Sequence, residues 1–416
     1  MLAGLPLLIL VLSMTARQAA LEPIRNVVEG VQSRLDRRAL RLERTDDHGY
    51  LKAILKELRV PESSQVLVFS KTSFQRERIT PKTPRALYFN DDVYVGFCQR
   101  GDVVEVSTPD RILGTAFYAF SQDPEDKPRF VPHNDACLIC HSSTRTQGYP
   151  GHIIRSVFPD FLGMPILSAG TTTVDSSTPL ADRWGGWYVT GTHGKLEHRG
   201  NWVVANKKDP SADDRTANQN VVDLKRRFTV GAYLTPHSDI VALMTLEHQA
   251  EMHNRLARAM LITNEALRRQ ERLNIELKER PDYQWESVTR QIQSVGEEVV
   301  RGLLFSGEAT IADPIKGTSG FTEEFAKRGP FDTHQRSLRQ FDLETRLFKY
   351  RCSYLIYSRA FSDLPPVVKE HIWKRLDEVL SGRDQGDAYK HLEPEERRAI
   401  REILKATVTN LPASWE

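Results

Sequence analysis

The residues most able to do chemistry are Cys137, Cys140 and His141, in the run Cys137-Leu138-Ile139-Cys140-His141. Two thiols two residues apart, followed at once by an imidazole, form the attachment signature of haem c. Each residue type has a task. The thiols add across the two vinyl groups of the porphyrin as thioethers, and the adjacent ring nitrogen reaches the iron as an axial ligand. Covalent attachment holds the cofactor even where the surrounding protein grips it loosely. The axial ligand and the wetness of the site then set the redox potential.

The chain has 4 Cys and 12 His in 416 residues. At those frequencies the pattern arises by chance about once in a thousand such chains. Two other chemistries use the same residues. A zinc site needs two further ligands; Cys98 and Cys352 are isolated in the sequence, so these would have to be histidines. A thioredoxin-like dithiol opens a helix after a strand, whereas Pro132-His133-Asn134-Asp135 reads as a loop. One haem c per chain is the leading expectation.

The run Cys137 to His141 resembles the attachment motif of the c-type cytochromes. That resemblance implies Cys137 and Cys140 as thioether sites and His141 as the proximal iron ligand. The wider chain resembles an uncharacterised family of secreted bacterial proteins with a single cytochrome-c-like motif. The likeness is carried by Ala86-Leu87-Tyr88-Phe89-Asn90-Asp91-Asp92-Val93-Tyr94-Val95-Gly96, by the motif itself, and by Arg183-Trp184-Gly185-Gly186-Trp187-Tyr188-Val189-Thr190-Gly191-Thr192-His193-Gly194. Glu247-His248-Gln249 and Phe348-Lys349-Tyr350-Arg351-Cys352-Ser353-Tyr354-Leu355-Ile356-Tyr357-Ser358 complete it. It implies an exported monohaem protein and brings no known activity. The common small cytochrome c carries its motif near the start of an all-helical domain of roughly 100 residues, with a methionine ligand downstream. Here residues 21–136 come first and much of that segment reads as strand, so the cofactor is expected in a different scaffold.

The second axial ligand is open. His193 and His198 follow the pair Trp184 and Trp187. Met164 stands 23 residues past His141 and could supply a thioether. His248 shares a face of an expected helix with Met244 and Met252. His237 lies about 16 Å from His248 along that helix and His253 points about 140° away from it, so at most one of the three is a ligand. The candidates are therefore His193, His198, His248 and Met164, or an open iron. Methionine would raise the potential. An open position would permit gas or peroxide chemistry with His193 or His237 as the acid–base group. Arg155 and Arg183 could pair with the propionates. Trp184 and Trp187 could flank the ring, although paired tryptophans beside glycines more often fill a core.

The elements that must position these residues read as α+β: a small antiparallel sheet region carrying the haem loop, followed by a mainly helical C-terminal half. Residues 1–20 read as a signal peptide, an apolar run too short to span a bilayer followed by small residues. An uncleaved anchor is the alternative. Residues 21–62 read as an N-terminal helical segment that stops at Pro61. Residues 63–234 read as a strand-rich haem-binding region, with strands at 66–69, 85–98 turning at Asn90-Asp91-Asp92, 103–106, 116–120 and 153–157. Residues 235–416 read as helical. A long apolar stripe starts after a cap at Ser238 or Thr235, and further helices are predicted at 285–304, 338–357, 367–380 and 393–408.

Net charge is +2, with 40% hydrophobic and 27% charged residues. This gives no broad electrostatic case for nucleic acid or an acidic membrane surface. No Gly-x-Ser-x-Gly, His-Glu-x-x-His or phosphate loop is present, so hydrolase chemistry lacks support. Cys98 and Cys352 could pair in an oxidising compartment or remain buried thiols. The cytochrome resemblance implies haem attachment outside the cytoplasmic membrane, which agrees with the signal segment. The expected location is periplasmic or secreted, with a redox partner protein and no stable membrane insertion after signal cleavage. Electron transfer is the expected function. A haem enzyme or a gas- or peroxide-binding sensor is the alternative.

Overall fold

A computed structural model describes residues 24–210 and 213–415, and the expected signal segment lies outside the described residues. The fold is α+β. A seven-stranded antiparallel sheet occupies the first half, and most of the helices belong to the second. Strands β1 (Val66–Val68), β2 (Arg85–Asn90), β3 (Val93–Phe97), β4 (Val103–Asp110), β5 (Gly114–Ser121) and β6 (Phe130–Pro132) run as a meander. A separate hairpin of β7 (Arg155–Val157) and β8 (Thr171–Thr173) follows, and β9 (Trp187–Tyr188) closes the main sheet beside β1.

The strands form where β-branched and aromatic residues alternate in sequence, and the alternation decides what each face meets. One face carries Ala86, Tyr88, Val95, Phe97, Val104, Val106, Tyr118 and Phe120. It is buried against helices α1 (Val27–Asp36) and α2 (Leu51–Glu57). The opposite face is read from the strand register. Phe89 lies opposite Tyr94, Tyr94 opposite Ser107, and Ser107 opposite Phe117, one row across four strands. The next row is Leu87, Gly96, Glu105 and Ala119. Phe89 and Tyr94 join the second core, which is built mainly on the C-terminal helices. The β2–β3 turn is set by Asn90, whose Oδ1 accepts from the amides of Asp92 (3.0 Å) and Val93 (2.9 Å).

Helix α3 (Asn134–His141) lies over β5, and α4 (Ile240–Glu276) crosses the sheet farther along the same face. Helix α5 (Glu286–Leu303) returns along α4 as the expected helical hairpin. The short α6 (Phe321–Ala326) and α7 (Arg359–Ser362) precede α8 (Pro366–Leu380) and α9 (Pro394–Thr407), which match the helices read at 367–380 and 393–408.

Three local expectations are corrected. The cap of α4 is Asp239, whose Oδ1 accepts from Val241 and Ala242, rather than Ser238 or Thr235. Ser238 instead accepts from the Leu67 amide and donates to the Tyr188 carbonyl, tying β1 to β9. Residues 338–357 form no α-helix. Asp342 captures the amides of Glu344, Thr345 and Arg346, Leu343 takes a positive φ of 62°, and Phe341 stacks on Phe348 with centroids 5.1 Å apart. Side-chain capture of local amides outcompetes the helical ladder there. Pro132 to Asp135 is not a loop: Pro132 ends β6 and Asn134 begins α3.

Candidate cofactor site

Helix α3 is anchored at its start by the backbone of Phe117. The His133 amide donates to the Phe117 carbonyl (2.9 Å), and the Phe117 amide donates to Asn134 Oδ1 (3.0 Å). Cys137 is the fourth and Cys140 the seventh residue of this eight-residue helix, so the pair does not open it as in a thioredoxin-like dithiol. Cys137 and His141 are four residues apart and Cys137 and Cys140 three apart, so all three project from one side of α3. Both thiols are free. Cys137 is half-buried, and burial pushes it up to about 11; Cys140 is exposed.

His141 packs its ring on Phe117 at 4.8 Å. Its Nδ1 lies 2.8 Å from the Gly151 carbonyl, and the Gly151 amide returns a bond of 2.9 Å to the His141 carbonyl. A carbonyl only accepts, so Nδ1 carries the proton and the Nε2 lone pair is free. Burial lowers the imidazole pKa and favours that neutral form. Gly151 is held in turn by α4. Asn254 accepts from the His152 amide and donates to the His152 carbonyl, both at 2.7 Å. A Cβ on Gly151 would come within 2.4 Å of Asn254 Oδ1, so a larger residue there would have to displace the Asn254 side chain from its two bonds to His152. A ring nitrogen bonded to a carbonyl, with the other left open, is how proteins prepare a histidine for a metal.

Three further features surround this helix. Arg85 reaches across Gly96 to pair with Glu105, and both charges act on Cys137 and His141. The Arg85 Nε is buried and has no partner among the described residues. Behind Phe117, buried His152 contacts Ser107 Oγ (2.9 Å) and the Tyr94 ring (4.0 Å), while His253 Nδ1 lies 2.7 Å from the Tyr94 hydroxyl. Burial holds His152 well below its usual range and His253 at about 4. Finally, Ile139 is 79% exposed beside the thiols. The donor set has the chemistry that a covalently held haem requires: two free thiols and a neutral imidazole with an open nitrogen.

The expected second ligands are not gathered here. His193 Nε2 accepts from the Asn220 amide and His198 Nδ1 from the Gly200 amide. The two rings pack together at 4.8 Å, and His198 also meets Trp184. His248 bonds Ser353 Oγ at 2.7 Å and stacks on Phe305, deep among the C-terminal helices. Burial pushes both His198 and His248 to about 3. His237 is half-buried at the entry to α4, its carbonyl accepting from Gln65. Met164 is different: the residue is exposed, in a loop whose backbone is fixed by Asp160. That loop borders the segment 71–74 through a bond from the Lys71 amide to Gly163, and Phe74 touches His133 at 5.0 Å, at the start of α3.

Arg183 is not available to a propionate. It is buried in an ion pair with Glu247 (2.8 Å) and donates to the Thr178 carbonyl. Glu247 also accepts from Trp184 Nε1. Trp184 and Trp187 fill the core, Trp187 Nε1 donating to the Arg155 carbonyl. Arg155 is close enough to Cys140 for the thiol's charge to act on it. Cys98 and Cys352 are buried free thiols. Among the described residues no three His, Cys, Asp or Glu side chains are grouped to hold a metal ion, so the four-ligand zinc alternative finds no cage there.

His152, Asn254 and Phe117 were not picked out as site residues from the sequence. His152 follows a glycine in a loop with no periodicity, and its partners are distant in sequence; nothing local announces it. Compared with known proteins, the chain matches no family model, no curated protein and no solved structure.

Proposed function

We propose that the protein is exported and carries one haem c, joined through Cys137 and Cys140 and ligated by His141, and that it transfers electrons to or from a partner protein. The observation that carries this reading is the state of His141: Nδ1 committed to Gly151, Nε2 free, two free thiols on the same side of its helix. Each S–H would add across a vinyl double bond, so attachment releases no leaving group. When bound, the haem supplies one-electron chemistry at its iron. Phe117 supports the imidazole, Gly151 and Asn254 fix its rotation, and the Arg85–Glu105 pair sets the local charge. The exposure of Cys140 and Ile139 leaves this side of α3 open to a docking protein.

A second reading has its own observation. His193, His198 and His248 are each bonded elsewhere, which leaves Met164 as the exposed candidate. A haem held by both His141 and Met164 would suit electron transfer; one held by His141 alone would suit a gas- or peroxide-binding role. A visible spectrum of protein matured with the haem-attachment machinery, recorded with and without carbon monoxide and cyanide, decides between them. Electron transfer requires a low-spin spectrum that neither ligand changes. A shifted spectrum supports the sensor or enzyme.

A further inference from the structure

Two arginines that follow the motif in sequence, Arg145 and Arg155, have no carboxylate partner among the described residues. Arg155 stands on β7 directly opposite Thr173 of β8. Its Nε and Nη2 point at Thr171 Oγ1, at 3.4 and 3.3 Å. Arg145 follows His141 by four residues, in a turn fixed by reciprocal bonds between Ser143 and Thr146, and its Nη1 donates to Thr173 Oγ1 at 3.0 Å. The two guanidinium groups therefore flank one strand of threonine hydroxyls. Among the described residues neither makes an ion pair, although arginines elsewhere in the chain commonly do. A third arginine that reaches the same hairpin from a later loop, Arg199, donates to Thr172 and is neutralised by Asp182. Arg145 and Arg155 thus share this hairpin without the countercharge that Arg199 has there. Burial and the charge of Arg145 both lower the Arg155 pKa, and Cys140 is close enough to act on it.

Two like charges held together beside a thioether site are what a dianionic ligand edge needs. We propose that Arg145 and Arg155, with Thr171 and Thr173, form a clamp for the two propionates of the haem attached at Cys137 and Cys140. This inference rests on the covalent-haem reading. Each guanidinium presents a planar fork that matches a carboxylate, and the hydroxyls can supply further donors. The backbone of the clamp is rigid: Trp187 Nε1 holds the Arg155 carbonyl, and the Gly185 amide donates to Ser156 Oγ. Positive charge at the propionates favours the ferrous state and keeps the propionates ionised.

The test is a redox titration of matured holoprotein across pH 5 to 8, in wild type, R145Q, R155Q, R155K and the R145Q/R155Q double variant. Each glutamine variant is expected to lower the midpoint potential, with the double variant lowest. The double variant is also expected to gain a pH-dependent step as a propionate titrates within the range. R155K, which keeps the charge, is expected to lie nearer wild type. Arg145 is exposed, so R145Q reads out the clamp even where R155Q matures poorly. A double variant that retains covalent haem and shows the wild-type potential and pH profile overturns the clamp alone. Haem that acid-acetone extracts from the wild type overturns the cofactor reading, and the clamp with it.

Discussion

A histidine becomes a good iron ligand when one nitrogen is fixed and the other is left bare, and His141 owes that state to one backbone carbonyl. Gly151 supplies the carbonyl, and a side chain there would press on Asn254. Gly151→Ala would push a methyl group against the Asn254 amide, with a cost of about 1–3 kcal/mol. The expected outcome is a lower unfolding midpoint together with a changed Soret or ligand-field band in holoprotein. An unchanged spectrum and midpoint would show that the carbonyl does not orient the ring. The motif itself was legible because its chemistry is local, five residues long. The residues that aim it were not: Gly151 is ten residues downstream, Asn254 is on another element, and their pairing has no periodic signature. The reading of Arg155 and Arg183 as equivalent propionate partners fails for a similar reason. Only the fold shows that Glu247 claims one of them.

At the scale of elements, the sheet was readable and the connections were less so. Strands at 85–98, 103–106 and 116–120 announced themselves through alternating aromatic and β-branched residues, and the Asn90-Asp91-Asp92 turn through Asx chemistry. The false helix at 338–357 shows the limit: its apolar spacing suits a helix, but Asp342 binds the local amides instead. The cap of α4 was misplaced by one residue because Ser238, a good cap by type, is occupied by β1 and β9. Asp239 does more than cap. Its Oδ2 accepts from the Thr318 and Ser319 amides (2.8 and 2.7 Å), so one carboxylate joins the helix start to the loop before α6. Asp239→Ala removes both, and the loss should reach or exceed the ~2 kcal/mol upper range for a cap. Urea unfolding measures it, and a loss below about 0.5 kcal/mol would contradict the dual role.

At the scale of the whole molecule, the buried titratable groups pull in opposite directions. His253 is held at about 4 by burial, against 6.5 for the free group. A depressed histidine contributes stability that is whole above about 6.5 and is lost as the pH falls toward 4. Linkage makes this about 2 kcal/mol between pH 7 and 5. Glu247 and Glu308, both raised to about 7 by burial, act the other way: their contribution is whole at low pH and is lost as the pH rises. The wild-type profile is therefore a difference of terms, and a single variant isolates one of them. His253→Gln can still bond Tyr94, and its acid-induced loss between pH 7 and 5 should be smaller than wild type's by about 2 kcal/mol. Parallel profiles would show that His253 does not titrate across folding. The two-core layout explains why the α+β class was readable while the site's surroundings were not. Each core follows from the pattern of its own segments. The site lies where the second face of the sheet passes from α4 to α3, a junction set by long-range packing.

The central claim is that porphyrin is bonded to Cys137 and Cys140. Intact-mass spectrometry of the denatured, matured chain tests it most directly. The expected result is a mass greater by one haem in wild type, absent when both cysteines are replaced by serine. A denatured wild-type chain at its bare polypeptide mass, from a preparation in which a known cytochrome c is matured alongside, would contradict it.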